Sequence, residues 1–174
     1  MSEDRKVAII TGSSQGLGAS IAIKLSQRNI NIVINYSNNR DMALKIKDKC
    51  INNGVEAIIV QADISNDSDC KKLVKETIDT FGKVDILVNN AGTTKFADHS
   101  KLDKLSGEDF INIYKVNVIG PYQMIRAVEP IMKKNGFGAV VNISSIAGKT
   151  GIGSSIAYAA SKGALNTMTL SLAK

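Results

Sequence analysis

Short runs of β-branched residues alternate along the chain with longer segments that have the period of an amphipathic helix. The runs are continuously apolar instead of alternating with polar residues, which is typical of strands covered on both faces. They occupy residues 7–10, 32–34, 58–60, 86–88 and 140–143. Strands that alternate with helices predict right-handed crossovers. The pattern therefore predicts an α/β fold with a doubly wound parallel sheet and flanking helices.

Two helical segments carry additional signals. Between the third and fourth runs, apolar positions recur at helical spacing, which predicts one buried stripe along a helix. The stripe consists of Cys70, Leu73, Val74, Thr77, Ile78 and Phe81. Further on, Ser106 and Asp109 resemble a capping box that opens a helical segment ending before Gly136. Pro121 and Pro130 lie inside that segment and predict a kink or a break there.

Three glycines follow the first predicted strand, and a helical segment begins directly after them. A turn from a parallel strand into a helix presents free backbone N–H groups and the positive end of the helix dipole, which suits a pyrophosphate. Gly12 would allow the tight turn, Gly16 a close approach of backbone to phosphate, and Gly18 close packing of helix on strand. Such glycines also occur without a ligand, but the strand before them and the helix after them favour binding. The apolar face of this helix is predicted at Leu17, Ile21 and Leu25.

Tyr158 and Lys162 stand four residues apart, so on a helix the ammonium can lie beside the phenol. A neighbouring cation favours the phenolate and moves the pKa of a tyrosine towards neutrality, as a general acid or base requires. The same spacing occurs on surface helices, where the lysine is only solvated. Ser145 favours the catalytic interpretation, because it follows the fifth run at the end of the sheet where ligands bind. Ser144 is the adjacent hydroxyl, which could instead cap a helix or bond to the backbone.

Asn117 lies in a predicted helical segment, although an asparagine side chain competes with the backbone for hydrogen bonds there. One interpretation is a local hydrogen bond to the backbone at a bend near Gly120 and Pro121. The other is a role in a functional site, and the two interpretations do not exclude each other.

In order along the chain, these motifs resemble those of the short-chain dehydrogenase/reductase family, over residues 7–174. The glycine segment matches the cofactor loop of that family, Asp63 its adenine-contacting acid, and residues 89–92 the motif that ends the fourth strand. The matches to the catalytic tetrad of the family are Asn117, Ser145, Tyr158 and Lys162. The cofactor-binding residues that the resemblance implies are Gly12, Ser14, Gln15, Gly16, Leu17, Gly18, Tyr36, Ser37, Asp63, Ile64, Asn90, Ala91, Gly92, Tyr158 and Lys162.

The resemblance implies a Rossmann-type fold and an NAD(P)-dependent oxidoreductase that transfers a hydride between the nicotinamide and a carbonyl or secondary alcohol. Ser145 would bond the substrate oxygen, and Tyr158 would transfer the proton. Lys162 would tune Tyr158 and bind the nicotinamide ribose, and Asn117 would hold a water of a proton relay. Reductases of 3-oxoacyl-(acyl carrier protein) are similar, but sugar, polyol and hydroxysteroid dehydrogenases share the same motifs. The alternative is a catalytically silent nucleotide-binding or scaffold protein.

The end of the second predicted strand favours NADP(H) over NAD(H). An acid at this position would bond the ribose 2′-hydroxyl of NAD and repel the 2′-phosphate of NADP. Tyr36 stands where NAD-preferring relatives would have an aspartate, and no acid follows until Asp41. The residues that could contact the phosphate are Ser37, Asn38 and Arg40. Gln15, however, replaces the basic residue that many NADP-preferring relatives carry in the glycine loop.

Length and composition predict one folded domain over residues 1–174, since 44% of the residues are hydrophobic and 22% are charged. The net charge of +6 does not indicate a nucleic-acid partner, because basic and acidic residues are mixed and only 5% of the residues are aromatic. Cys50, Cys70 and His99 lack the spacing of a metal site or a disulfide framework. No apolar run could span a membrane and the charged start leaves no room for a signal peptide, so a cytoplasmic protein is expected.

The resemblance also implies a homo-oligomer, either a dimer or a tetramer, formed through helices that begin near Glu108 and Ser155. Relatives continue beyond the helix of Tyr158 with two more strands, a cofactor-contacting loop and a substrate lid, whereas this sequence stops at Lys174. The domain is therefore expected to be incomplete at its C-terminus, with the last strands missing. The fifth strand is then expected to form an exposed edge of the sheet.

Overall fold

The computed structural model describes residues 5–174, which form a five-stranded sheet flanked by helices. The strands are β1 (Val7–Ile10), β2 (Asn31–Tyr36), β3 (Ala57–Gln61), β4 (Ile86–Asn89) and β5 (Ala139–Asn142). The helices are α1 (Gly16–Ser26), α2 (Arg40–Asn52), α3 (Asp67–Phe81), α4 (Gly107–Tyr114), α5 (Gly120–Asn135), α6 (Ala147–Thr150) and α7 (Ile156–Leu172). A 3₁₀ turn (Leu102–Lys104) precedes α4, and a π-helical turn (Lys115–Ile119) joins α4 to α5.

The strand order β3-β2-β1-β4-β5 makes the sheet doubly wound. The chain places β2 and β3 on one side of β1 and then returns to place β4 and β5 on the other side. All four neighbouring pairs of strands are parallel. The strand order reverses between β1 and β4, and open α/β sheets bind their ligands beside such a switch point. The predicted fold class is confirmed, and the sheet positions a ligand site at the carboxyl ends of β1 and β4.

The residues of β1 explain why its sequence is continuously apolar. All four are buried, and successive side chains of a strand point to opposite faces of the sheet. Val7 and Ile9 belong to a cluster that includes Leu73 of α3. Ala8 and Ile10 belong to a second cluster, which is formed with α1 and α2. The core therefore has two layers, one on each face of the sheet.

Two of the predicted helices form as the sequence indicates. On α3 the positions Cys70, Leu73, Val74 and Thr77 are buried, while Ile78 and Phe81 pack against the same cluster. The Ser106 side chain accepts a hydrogen bond from the backbone N–H of Asp109, and the Asp109 carboxylate accepts one from the N–H of Ser106. This reciprocal pair is the predicted capping box of α4. α5 ends at Asn135, and Gly136 follows with a φ of 68°.

The prolines do not both interrupt the helical segment. Pro121 lies in the first turn of α5, where proline is tolerated, and a π-helical turn directly precedes this helix. Pro130 lies inside α5, but the helix continues through it to Asn135. The prediction of an irregularity is therefore confirmed near Pro121, and a break at Pro130 is wrong. Packing of Val128 and Met132 into the core holds the helix together across Pro130.

The buried face of α1 differs from the predicted one. Leu17 is 57% exposed, and Ile21 and Leu25 are only half-buried at the border of the core. The buried positions are Gly18, Ala19, Ala22 and Ser26. Small side chains bring α1 close to the sheet, so these residues take the central positions and the large apolar residues lie beside them. The predicted face is therefore wrong at Leu17, while Ile21 and Leu25 pack against the core from its border.

β5 is an edge strand, and within residues 5–174 it pairs with β4 alone. Val140 and Val141 are 41% and 47% exposed.

Within residues 5–174, no helix is long and apolar enough to cross a membrane. The described residues also hold no group of three or more His, Cys, Asp or Glu side chains arranged for a metal ion, and both cysteines are buried free thiols.

Candidate functional site

The glycine loop joins β1 to α1 and makes two close approaches to the end of β4. An added Cβ at Gly12 would lie 2.9 Å from the Cα of Ala91, and one at Gly18 would lie 2.4 Å from the Nδ2 of Asn90. Gly12 and Gly16 have φ angles of 62° and 58°, in the left-handed region that favours glycine. The loop can therefore lie this close to the end of β4 only because Gly12 and Gly18 lack a side chain.

The N-terminus of α1 fits an anion. The first N–H groups of an α-helix have no intrahelical acceptor. Within residues 5–174, the side chain of the N-cap residue Gln15 makes no capping hydrogen bond. Gln15 and Gly16 line a cavity above the sheet, so the positive end of the α1 dipole is directed towards that cavity. A phosphate group would complete the hydrogen bonding of this helix end.

Thr11 and Asn90 fix the glycine loop to β4. The Thr11 hydroxyl accepts hydrogen bonds from the backbone N–H groups of Asn90 (3.0 Å) and Ala91 (3.1 Å). The Asn90 amide donates to the backbone oxygens of Thr11 (2.9 Å) and Gly12 (3.2 Å). The side chain of Asn90 is thus bound to the loop itself, and its contribution to the site is to hold the loop in position.

Asn35 is a residue of the site that the sequence analysis missed. It is 2% exposed, and its Oδ1 accepts a hydrogen bond from the Gly12 N–H at 3.0 Å while its Nδ2 donates to the Ala62 oxygen at 3.0 Å. One side chain on β2 therefore links the glycine loop to the end of β3. The signal was the asparagine directly after the apolar run of residues 32–34, because an amide buried beside such a run needs hydrogen-bond partners.

The cavity has a volume of about 750 Å³ and lies at the carboxyl ends of β1, β2, β3 and β4. Most of the proposed cofactor residues line it, namely Gly12, Ser14, Gln15, Gly16, Tyr36, Ser37, Asp63, Ile64, Asn90, Ala91 and Gly92. Four others do not: Gly18 is buried under the loop, Leu17 points outward, and Tyr158 and Lys162 lie on α7. Asn38, which was predicted as a possible phosphate contact, also lines the cavity. The lining residues that the sequence analysis did not propose include Asn35, Gln61, Asp69, Lys72 and Thr93.

Asp63 lies at the rim of this cavity, one residue beyond the buried Ala62. Its backbone N–H donates to the Asp69 carboxylate at 2.8 Å, and its own Oδ1 accepts from the Ser65 N–H at 2.9 Å. The loop after β3 is therefore held by its own Asp63 carboxylate and by that of Asp69 in the first turn of α3. These bonds fix Asp63 beside the space where the sequence resemblance places the adenine.

Asn117 lies in the π-helical turn and is fully buried. Its Nδ2 donates to the Thr93 oxygen at 2.9 Å and to the Ser161 hydroxyl at 3.0 Å, and its Oδ1 accepts from the Thr93 N–H at 2.8 Å. The interpretation of a local hydrogen bond near Gly120 and Pro121 is therefore wrong. Asn117 instead joins the loop after β4 to α7. The π-helical turn directs this side chain inward, a geometry that occurs often at functional sites.

Tyr158 and Lys162 lie together on α7, as their spacing predicts. The Lys162 ammonium is 5.7 Å from the centroid of the Tyr158 ring and donates a hydrogen bond to the Ile143 oxygen at 2.8 Å. Lys162 is 4% exposed, and burial lowers the pKa of its ammonium. Among residues 5–174, no carboxylate offsets this effect of burial on the pKa of Lys162.

The two serines after β5 have different partners. The Ser144 hydroxyl donates to the Lys162 oxygen at 3.3 Å, which is the backbone role left open for it in the sequence. The Ser145 Oγ accepts a hydrogen bond from the Ala147 N–H at 3.2 Å, so this bond leaves the hydroxyl proton free to be donated. Ser145 is half-buried and lies two residues before α6.

Gly92, in the motif that ends β4, lies beside two residues of the predicted tetrad, Asn117 and Lys162. An added Cβ at Gly92 would lie 3.3 Å from the Asn117 Oδ1 and 3.7 Å from the Lys162 Nζ. One at Gly148, in α6, would lie 2.6 Å from the backbone carbon of Lys162. The loop after β4, the π-helical turn, α6 and α7 therefore converge on Lys162. This convergence brings the polar side chains of Asn117 and Lys162 together beside the loop after β4.

Comparison with known sequences identifies relatives over almost the whole chain. The chain is 32% identical over 169 residues to a 3-oxoacyl-[acyl-carrier-protein] reductase of Staphylococcus epidermidis, a match that covers 97% of this chain and 68% of the relative. The chain thus spans about two thirds of the length of this relative.

Solved structures give the same result. A crystal structure described as that of a short-chain dehydrogenase/reductase from Burkholderia xenovorans superposes with a TM-score of 0.96 at 40% identity, covering 99% of this chain and 72% of that one. An NAD⁺-bound xylitol dehydrogenase gives 0.91 at 28% identity, with 99% and 65% covered. A metagenomic short-chain oxidoreductase in complex with NADP gives 0.89 at 32% identity, with 97% and 75% covered.

The family model described as short chain dehydrogenase matches residues 6–174, which includes the glycine loop, the end of β4 and the pair on α7. The resemblance inferred from the motifs is thereby confirmed. This chain belongs to the short-chain dehydrogenase/reductase family.

Proposed function

We propose that this chain is an NAD(P)-dependent oxidoreductase that interconverts a carbonyl and a secondary alcohol. The observation that carries the proposal is the Lys162 ammonium, which is 4% exposed and lies 5.7 Å from the Tyr158 ring. Burial of an ammonium costs stability, and one carbonyl oxygen offsets this cost only in part. A buried cation beside a phenol is therefore the arrangement expected where a proton is transferred.

The cavity fits a dinucleotide by its shape and by its hydrogen-bonding groups. The N-terminus of α1 and the side-chain-free surface at Gly16, where an added Cβ would meet open space, would hold the pyrophosphate. Tyr36, Ser37 and Asp63 would hold the adenosine end of the dinucleotide. Gly92 lines the cavity beside Lys162, so the nicotinamide end would lie there. A bound nicotinamide supplies the hydride donor or acceptor that the residues of the chain lack.

The residues of the chain would handle the proton and the substrate oxygen. Ser145 donates a hydrogen bond from its hydroxyl to the substrate oxygen and keeps its proton. Tyr158 gives one proton to that oxygen in reduction or takes one from it in oxidation. Lys162 stabilises the phenolate form of Tyr158 by its charge. Asn117 positions α7 through Ser161 and the loop after β4 through Thr93, so it keeps these groups in register.

Substitution of Tyr158 tests this proposal. We expect Tyr158→Phe to lower kcat by about 10²–10⁴-fold, the usual contribution of a positioned acid or base, while NADPH affinity is retained. Tyr122→Phe, on the exposed surface of α5, is the matched control and leaves kcat unchanged. Rates follow from the oxidation of NADPH with a panel of carbonyl substrates. Full turnover by Tyr158→Phe contradicts the mechanism, and cofactor binding without turnover on any carbonyl favours the catalytically silent alternative.

We further propose a 3-oxoacyl thioester on an acyl carrier protein as substrate and NADPH as reductant. The relative from Staphylococcus epidermidis is named for this reaction, and a net charge of +6 suits an acidic carrier. We expect kcat/KM to be higher with the carrier-linked substrate than with the coenzyme A thioester, and to fall with added salt. Equal values for both thioesters, or a preference for a ketose, contradict this assignment.

The homo-oligomer and the single domain stay predictions of the sequence. Size-exclusion chromatography with light scattering measures the oligomeric state of the chain. A dimer or a tetramer is expected.

A further inference from the structure

Among residues 5–174, Lys72 is the one lysine or arginine that lines the cavity. It lies in the second turn of α3, a different element from the glycine loop and from the end of β2. Its ammonium donates to the Gln61 oxygen at 3.4 Å, at the end of β3. Arg40, which begins α2, does not line the cavity. The cation of this site is therefore supplied from a place that the sequence motifs do not indicate.

Lys72 is connected to the ribose end of the cavity through Gln61. In the sheet, Gln61 is the register partner of Tyr36, the residue that stands in the position of a selective acid. The Gln61 side chain donates to the Ser37 oxygen at 2.8 Å, and its backbone oxygen accepts from Lys72. Gln61 thus lies between Ser37 and Lys72, and all three line the cavity.

The present bonds of Lys72 leave it able to reorient. Its ion pair with Glu76 is long, at 3.8 Å, and both side chains are about half exposed, at 54% and 44%. Exposed pairs of this kind contribute little, because water screens them. The 3.4 Å contact with the Gln61 oxygen is also long for a hydrogen bond. An anion with two charges would compete successfully for this ammonium.

The other charged groups at this end are acidic. Asp63 and Asp69 line the same cavity, and each carboxylate accepts a backbone hydrogen bond, from Ser65 and Asp63 respectively. Two carboxylates repel a phosphate unless a cation lies between them and the anion. Lys72 is the lining residue that carries this charge.

We propose that Lys72 is a specificity-determining residue that binds the 2′-phosphate of NADP(H). The inference rests on the proposed function, because it assigns one subsite of the same cofactor cavity. It makes cofactor choice in this chain depend on α3 rather than on a basic residue of the glycine loop, where Gln15 stands.

The test compares ligands with and without the 2′-phosphate. The affinities of the full chain for NADPH, NADH, 2′,5′-ADP and 5′-AMP are measured by titration calorimetry, which does not depend on turnover. We expect Lys72→Gln to weaken NADPH and 2′,5′-ADP by at least about tenfold, the usual effect of losing a charged hydrogen bond. NADH and 5′-AMP should change by less than about twofold, since they lack the group that Lys72 binds.

Two further variants control for charge and folding. Lys72→Arg keeps the cation and should restore NADPH affinity. Lys71→Gln removes the adjacent lysine, which pairs with Asp67 at 2.7 Å, and should leave all four affinities unchanged. Added salt should reduce the difference between wild type and Lys72→Gln, because it screens an exposed ion pair.

Each outcome decides the inference. Equal losses of NADPH and NADH affinity in Lys72→Gln, or no loss of either, overturn the role at the 2′-phosphate while the proposed function stands. A wild-type chain that binds none of the four ligands overturns the proposed function and the inference together.

Discussion

At the scale of single residues, Asn35 connects the stability of the fold to the shape of the site. Its amide bonds to Gly12 and Ala62, each at 3.0 Å, from a position that is 2% exposed. We expect Asn35→Leu to lower the free energy of unfolding by about 1–3 kcal/mol, because the half-buried Gly12 N–H and the buried Ala62 oxygen lose their partner. Nucleotide affinity should fall as well, since Gly12 belongs to the glycine loop. Urea unfolding and calorimetry measure the two effects.

Asn31 is the matched control at the opposite end of the same strand. Its Oδ1 accepts a hydrogen bond from the Glu56 N–H at 3.0 Å, far from the cavity. Asn31→Leu should therefore lower stability without changing nucleotide affinity. A loss of affinity in Asn31→Leu equal to that in Asn35→Leu would show that the effect on binding comes from general destabilisation.

Gly18 sets the distance between α1 and β4. An added Cβ would lie 2.4 Å from the Asn90 Nδ2 and 2.7 Å from the Gly12 oxygen, so backbone has to move. We expect Gly18→Ala to lower the free energy of unfolding by about 1–3 kcal/mol, the usual cost of overpacking. Gly107→Ala is the control, because an added Cβ there meets open space in the first turn of α4. Alanine favours helix at that position, and a loss of stability equal to that of Gly18→Ala contradicts the steric explanation.

At the scale of elements, the cap of α4 predicts a response to acid. The Asp109 carboxylate bonds to the Lys95 ammonium and to the backbone and hydroxyl of Ser106, and these partners hold its pKa at about 2. A carboxyl group whose pKa is lowered in the folded state stabilises the fold above its unfolded pKa, near 4. This contribution is lost as the pH falls towards about 2, because the unfolded chain takes up the proton first.

We therefore expect Asp109→Asn to reduce the pH dependence of the melting temperature between about pH 4 and pH 2. At neutral pH the variant should melt at a lower temperature than the wild type. Asp48→Asn, which removes a carboxylate from the exposed surface of α2, controls for the change in net charge. A wild-type pH profile in Asp109→Asn, or an equal change in Asp48→Asn, contradicts the assignment to this cap.

Sequence periodicity predicted the elements whose burial follows from their own residues. The continuous apolar run of β1 and the stripe from Cys70 to Phe81 on α3 are examples. In both, the spacing of apolar residues along the chain was enough to predict which side chains are buried. The buried face of α1 could not be predicted in this way, because Gly18 sets it through contact with a distant strand. The π-helical turn at Asn117 was also hidden, since the partners of that side chain, Thr93 and Ser161, lie 24 and 44 residues away.

In the candidate site too, local sequence patterns could be predicted, whereas contacts between distant parts of the chain could not. The glycine loop and the pair of Tyr158 and Lys162 are local patterns, and both could be recognised in the sequence. Lys72 enters the cavity from α3 because β2 and β3 are neighbours in the sheet, which is a property of the topology. No spacing along the chain indicates it. Residues that reach a site across strands therefore have to be found in the structure.

At the scale of the whole molecule, the sheet is shared by two hydrophobic layers, and each layer contains one free cysteine. Cys50 of α2 belongs to the layer formed with α1, and Cys70 of α3 belongs to the layer formed with α5. Both thiols have 0% exposure, and burial raises the pKa of each, that of Cys70 to about 12. Neither thiol can react until its own layer opens, because both access and the thiolate form are suppressed.

The single-domain prediction can be tested with these two thiols. Strands β1 to β4 each contribute side chains to both layers, so we expect that neither layer can open while the other keeps its packing. We expect Cys50 and Cys70 to become reactive at the same urea concentration, as measured by mass spectrometry of the labelled peptides. Ile9→Val and Ile34→Val each shorten a fully buried side chain in a different layer and should cost about 0.5–1.5 kcal/mol. Each variant should shift both labelling midpoints equally, because one cooperative transition exposes both thiols. Separate midpoints, or a variant that moves only the cysteine of its own layer, would mean that the two faces of the sheet unfold independently.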